Sequence, residues 1–190
     1  MKTAFRNVAL ATAAFSLVPL AACTEVDDDP ADVTPEEVSN RTLAATLTGA
    51  PGMETISSAI SDAGLSSVFD GPGSYTVFAP DDDAFGTLGD ERQALMSEDQ
   101  RPVLVAILRD HIVPGHLTPE AIGKAIDEQG GKVEMRTVGD GTITFTRDGE
   151  NFTLTGQDGS TAHIDGAALA ASNGVAIPLD GLLKKVEPTS

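Results

Sequence analysis

The spacing of apolar positions changes twice along the chain. From Val8 to Ala22 the residues are uncharged and mostly apolar. From Val38 they recur at helical intervals. Leu43 and Leu47 lie four apart, and Met53, Ile56 and Ile60 follow the same period. Val103, Leu104, Ile107 and Leu108 share one face of a helix predicted over about Asp99–Asp110. Beyond Lys132 the period drops to two. Val133, Met135 and Thr137 alternate with polar neighbours, and so do Ile143 and Phe145, then Phe152 and Leu154. Helices gather early and strands late, with few βαβ units, which predicts an α+β fold in one domain. No internal repeat is visible.

Turn chemistry punctuates this pattern. Gly49-Ala50-Pro51-Gly52 separates two short helices, and Gly64 ends the second. Leu65, Val68 and Phe69 extend the apolar set towards Asp70-Gly71-Pro72-Gly73, and Tyr75–Ala79 reads as a buried strand closed by Pro80. Thr118 suits a helix N-cap with Pro119 at the first helical position. Asp148-Gly149 between two alternating runs predicts a hairpin. Short strands are expected at Thr161–Ile164, Ala167–Ala171 and Val175–Leu179, the last following a turn at Ser172-Asn173-Gly174. Pro178 cannot donate to a ladder, which predicts an edge position or a bulge for that strand.

The first apolar regime is an address. Lys2 and Arg6 precede it, Pro19 interrupts it, and Leu20-Ala21-Ala22 leads to Cys23, the sole cysteine. Its fifteen residues would span only ~22 Å as a helix, short of a ~30 Å hydrocarbon core. A secretory signal over residues 1–22 is the expectation. Leu20-Ala21-Ala22-Cys23 further resembles the lipobox of bacterial lipoproteins, which implies cleavage before Cys23 and acylation of that residue. The chain would then be exported and lipid-anchored in the cell envelope, several acyl chains holding more firmly than one. Thr24 in place of Asp after the cysteine favours the outer membrane. Residues 23–37 are acidic, carry Pro30 and Pro35, and lack an apolar period, so they read as a self-repelling tether.

Composition narrows the partners. The chain has 29 Asp and Glu against 12 Lys and Arg. Loss of Lys2 and Arg6 would leave 10 − 29 = −19. Such a surface repels nucleic acid and anionic headgroups. Aromatics are 4%, with no Trp, so stacking platforms are scarce.

Three segments then resemble the fasciclin-like domain. They are Tyr75-Thr76-Val77-Phe78-Ala79-Pro80-Asp81-Asp82-Asp83-Ala84-Phe85, His111-Ile112-Val113-Pro114-Gly115-His116-Leu117, and Ser172-Asn173-Gly174-Val175-Ala176-Ile177-Pro178-Leu179-Asp180-Gly181. They occur in the family's order, the resemblance spans about Val38 to Val186, and the domain is expected over residues 38–187. It implies a compact β-sheet wedge with short helices along one side, a buried structural His111, and a role in adhesion. Asp110 stands where the family often has Tyr, and Ala176-Ile177-Pro178-Leu179-Asp180 departs from the usual closing motif.

Candidate chemistry is thin. His111, His116 and His163 form no metal-binding motif, and neither a Gly-x-Ser-x-Gly elbow nor a phosphate loop occurs. No catalytic residue, metal or cofactor is expected. Asp81, Asp82 and Asp83 read as helix-terminal acids, and with His111, Pro114 and Gly115 they form the candidate binding or structural set. The expected function is a lipid-anchored module binding a cell-surface or matrix protein or polysaccharide, a second copy of the chain being a further partner. The alternative is a carrier of a small apolar ligand such as a pigment or lipid, which needs an apolar cleft.

Overall fold

A computed structural model describes residues 40–186. The signal, Cys23 and the tether lie outside the described residues. Among these, α1 (Leu43–Thr48) and α2 (Glu54–Asp62) form a helical pair. Thr42 caps α1 by accepting the Ala45 N–H. Gly64, at φ +70°, ends the second helix, and α3 (Ser66–Phe69) follows. Strand β1 (Tyr75–Pro80) leads into α4 (Asp82–Gly86), and α5 (Asp90–Leu95) comes next, which the sequence reading did not anticipate. The helix expected from about Asp99 begins as a 3-10 turn over Glu98–Gln100 and continues as α6 (Arg101–Asp110). A short β2 (Ile112–Pro114) precedes α7 (Pro119–Glu128), where Thr118 caps through Ala121 and Pro119 occupies the first turn.

The remaining strands are β3 (Lys132–Arg136), β4 (Thr142–Asp148), β5 (Asn151–Thr155), β6 (Thr161–His163), β7 (Leu169–Ala171) and β8 (Gly174–Leu179). The β4–β5 hairpin closes with Asp148 opposite Asn151 and Gly149 at φ +61°, the glycine-first pattern that a two-residue turn favours.

Two four-stranded sheets result, ordered β2-β1-β8-β7 and β3-β4-β5-β6. The second is wholly antiparallel. In the first, β1 and β8 are parallel with Tyr75 opposite Gly174 and Pro80 opposite Leu179. Both strands are almost entirely buried, because the sheet is covered on each face. Val77, Ala79 and Ala176 face a core shared with α1, α2 and α6. Phe78, Val175, Ile177 and Leu179 face the other sheet and α7. Phe78 and Phe145 meet across the two sheets with ring centroids 5.2 Å apart.

Three expectations need correction. Val68 and Val103 follow the apolar period but are 40% and 45% exposed, because the helices turn only their Phe69 side and their Leu104, Ile107 and Leu108 side inward. Strand β8 is an interior strand and not an edge. Its proline is tolerated because Leu179 offers its carbonyl towards β1, accepting from Asp81 N–H, so Pro178 faces the other way. On that side β7 has already ended, and the Pro178 carbonyl takes the Asp165 N–H. A missing donor at that position breaks no ladder bond.

Candidate functional site

The three motif segments become neighbours. Strand β1 carries the first, β2 lies antiparallel on one side of it with the second, and β8 lies parallel on the other with the third. Many of their polar groups hold this junction.

At the far end of β1, three adjacent carboxylates separate. Asp81 caps α4, accepting the Ala84 N–H at 2.6 Å. Asp82 reaches back and accepts the Thr55 N–H at 2.8 Å, in the first turn of α2. Burial alone would raise the Asp82 carboxyl, but hydrogen bonds at Glu54 and Thr55 outweigh it and hold the group below the usual carboxylate range. Asp83 is exposed. One acid therefore caps its own helix, one caps another, and one faces solvent. The spacing foretold the first, and the second required knowledge of where α2 lies.

At the other end of β1 stands the Pro-Gly turn. Gly115 adopts φ +105°, which a residue with a side chain rarely does, and Pro114 is exposed opposite Tyr75. The buried Thr76 hydroxyl binds the turn on both sides, donating to the Gly115 carbonyl and accepting the Leu117 N–H, each at 2.8 Å. Asp81 and Gly115 thus mark opposite ends of one strand, and the candidate set forms no single site.

His111 terminates α6 and is 1% exposed. Its Nε2 accepts the Leu183 N–H at 2.9 Å, so Nδ1 carries the proton and donates to the Ile107 carbonyl, also at 2.9 Å. Both ring nitrogens are committed. Burial pushes the imidazole pKa down, although the Ile107 carbonyl and the charges of Asp110 and Asp158 oppose this. With both nitrogens bonded to backbone, the ring has none left for a metal or a proton relay.

Asp110, read in the sequence only as a departure from Tyr, anchors a second knot. It accepts from Lys184 Nζ at 2.8 Å and from the Thr137 hydroxyl at 3.2 Å. Thr137 in turn accepts the Gly141 N–H at 3.0 Å. Added side chains at Gly139 or Gly141 would collide with the same carboxylate. The Lys184 ammonium pKa is raised, first by its bond to Asp110. Asp158 accepts the Lys185 N–H at 2.7 Å. Burial would raise its carboxyl, and the bonds from Ser160 and Lys185 with the Lys184 charge outweigh that and lower it. Asp110, Thr137, Asp158 and Lys184 were missed because their partners are 27 to 74 positions away.

Asn173 completes the junction. Its amide donates to the carbonyls of Phe69 at 2.6 Å and Gly71 at 3.0 Å, while its oxygen accepts the Leu43 N–H at 2.8 Å. A cleft of about 240 Å³ lies beside α1 and α2, lined by Leu47 and Ile60 and by the hydroxyls of Thr48, Ser57, Ser58 and Ser61. It falls below the ~300–1,000 Å³ of typical small-molecule sites. Among the described residues no three His, Cys, Asp or Glu side chains are grouped to hold a metal, and no helix is long and apolar enough to cross a membrane.

The family model described as Fasciclin domain matches residues 51–185. The chain belongs to the fasciclin domain family. The relatives differ in how much of their own length this chain covers. Protein sll1483 of Synechocystis sp. is 30% identical over 193 aligned positions, covering 96% of this chain and 98% of its own. Human Stabilin-1 is 30% identical over 144 positions, covering 75% of this chain but only 5% of its own length. The solved structure of a FAS1 domain pair from the insect cell adhesion molecule Fasciclin I superposes with a TM-score of 0.68 at 17% identity. It covers 78% of this chain and 52% of that one, so this α+β chain shares the fasciclin fold with a protein described as an adhesion molecule. The three segments that pointed to the family are the strands and turns at the centre of its sheet junction.

Proposed function

We propose that this fasciclin-domain chain is a non-enzymatic adhesion or interaction module of the bacterial cell envelope. It is exported by a signal over residues 1–22, anchored through lipid on Cys23, and displayed on the acidic tether of residues 23–37 as a domain spanning 38–187. The observation that carries this reading is the shared fold with the adhesion molecule Fasciclin I, joined to the lipobox-like Leu20-Ala21-Ala22-Cys23. The internal chemistry supports it. The candidate histidine His111 and the acids Asp81 and Asp82 are bonded to backbone groups, so they secure the domain. Binding then falls to the exposed surface, and the partner is a surface or matrix protein or polysaccharide.

The test is recovery of native envelope components on the full chain, with a mass spectrum of any small molecule that accompanies it. A specific surface protein or polymer without a bound small molecule supports the module. A stoichiometric apolar compound contradicts it and favours a carrier.

A further inference from the structure

The outward side of α6 and the turn between β3 and β4 form a surface unlike the rest of this acidic chain. Among the described residues three large hydrophobic side chains are exposed, and two of them, Val103 and Val138, belong here at 45% and 40%. On α6 the exposed positions Pro102, Val103, Ala106 and Arg109 recur at three- and four-residue intervals, so they make one stripe. The stripe ends at Arg109, whose carbonyl accepts the Gly139 N–H at 3.1 Å. Val138, bonded to the Ile112 carbonyl at 2.8 Å, therefore stands beside that end. The turn is held by the Thr137–Gly141 and Thr137–Asp110 hydrogen bonds, so the surface is preorganised.

Its charge is equally distinctive. The guanidinium groups of Arg109 and of Arg136, the latter ending β3 two residues before Val138, make no hydrogen bond or ion pair with any described residue. In a chain where acids outnumber bases 29 to 12, two arginine side chains without ion-pair partners stand near exposed valines, with the exposed Asp140 in the same turn. Arginine is enriched at interface centres.

We propose that this face docks an acidic protein segment that also carries aliphatic side chains. Carboxylates of the partner meet Arg109 and Arg136, and its aliphatic groups cover Val103, Ala106 and Val138. The exposed valines favour a peptide, which carries aliphatic groups beside its carboxylates, over a charged polysaccharide. This rests on the adhesion reading and names the face and the partner chemistry within it.

The probe is a synthetic peptide alternating Asp and Leu, titrated into isotope-labelled full chain. An Asn-for-Asp peptide and alginate serve as comparisons. Docking predicts shifts concentrated at Val103, Ala106 and Val138. It also predicts weaker binding in higher salt and about tenfold weaker binding, or about 1.4 kcal/mol, for the R109Q/R136Q variant. V103S/V138S weakens it too, and all four positions are exposed, so the fold is retained. Equal binding of the Asn peptide, shifts elsewhere, or alginate binding as tight as the peptide's and indifferent to V103S/V138S would overturn the proposal. Cells displaying the four-fold variant separate the two readings. Attachment lost in the variant supports this face, and attachment retained as in wild type rejects it while leaving adhesion standing. A wild-type chain that supports no attachment removes both.

Discussion

Asn173 joins three elements, and removing its amide tests whether the motif residues act as fold supports. Its side chain makes three hydrogen bonds, to Leu43 at the start of α1 and to Phe69 and Gly71 at the end of α3. Each intramolecular bond contributes about 1 kcal/mol net, and a partly buried donor or acceptor left without a partner adds to the loss. Asn173→Ala is therefore expected to destabilise by about 3 kcal/mol. For a domain of this size that lowers Tm by roughly 6–12 °C. Asn173→Asp is the sharper variant. It keeps the oxygen that accepts from Leu43, but it sets a carboxylate oxygen against the Phe69 and Gly71 carbonyls, which lie 2.6 and 3.0 Å from the native nitrogen. Repulsion raises the new carboxyl's folded pKa above its unfolded value. The variant's deficit is then largest at neutral pH and shrinks as pH falls into the carboxylate range, where protonation restores a donor. Thermal and urea denaturation of wild type and both variants at pH 7 and pH 4 measure this. A Tm for Asn173→Ala within 2 °C of wild type, or an Asp deficit that grows on acidification, would refute the reasoning.

The buried His111 gives a second pH dependence of opposite origin. Its folded pKa is depressed, so below about pH 6.5 the unfolded chain binds a proton that the folded chain refuses, and stability falls as pH drops, by at most about 1.4 kcal/mol per unit for this one group. Denaturant midpoints between pH 7.5 and 5 should show that slope, and an imidazole resonance of His111 that titrates at or above 6.5 contradicts it. Gly156→Ala would drive a Cβ into the Leu183 carbonyl oxygen, beside the His111 contact, and is expected to cost about 1–3 kcal/mol by calorimetry. A neutral result would mean that the segment after β8 shifts freely.

Local signals in the sequence reached most elements and stopped at long-range partners. The Thr118-Pro119 start of α7 and the Asp148-Gly149 hairpin were legible because their geometry is set within four residues. The three motif segments identified the fold, although nothing in their spacing said that they become adjacent strands. Asp81 was readable as a cap, whereas Asp82 bonds a helix 27 positions earlier and Asp110 a lysine 74 positions later. Val103 fitted the apolar period and faces solvent all the same, since periodicity ranks positions on a helix without fixing where its buried arc ends. Pro178 misled for a related reason, as a strand can be interior along one half and unpaired along the other.

The proposed function requires attachment through a lipid-held fasciclin domain. The most direct measurement is the force that detaches cells displaying the full chain, cells lacking it, and cells carrying Cys23→Ser. Weaker attachment is expected in the last two, with the Cys23→Ser chain released into the medium. Equal detachment forces in all three would contradict it.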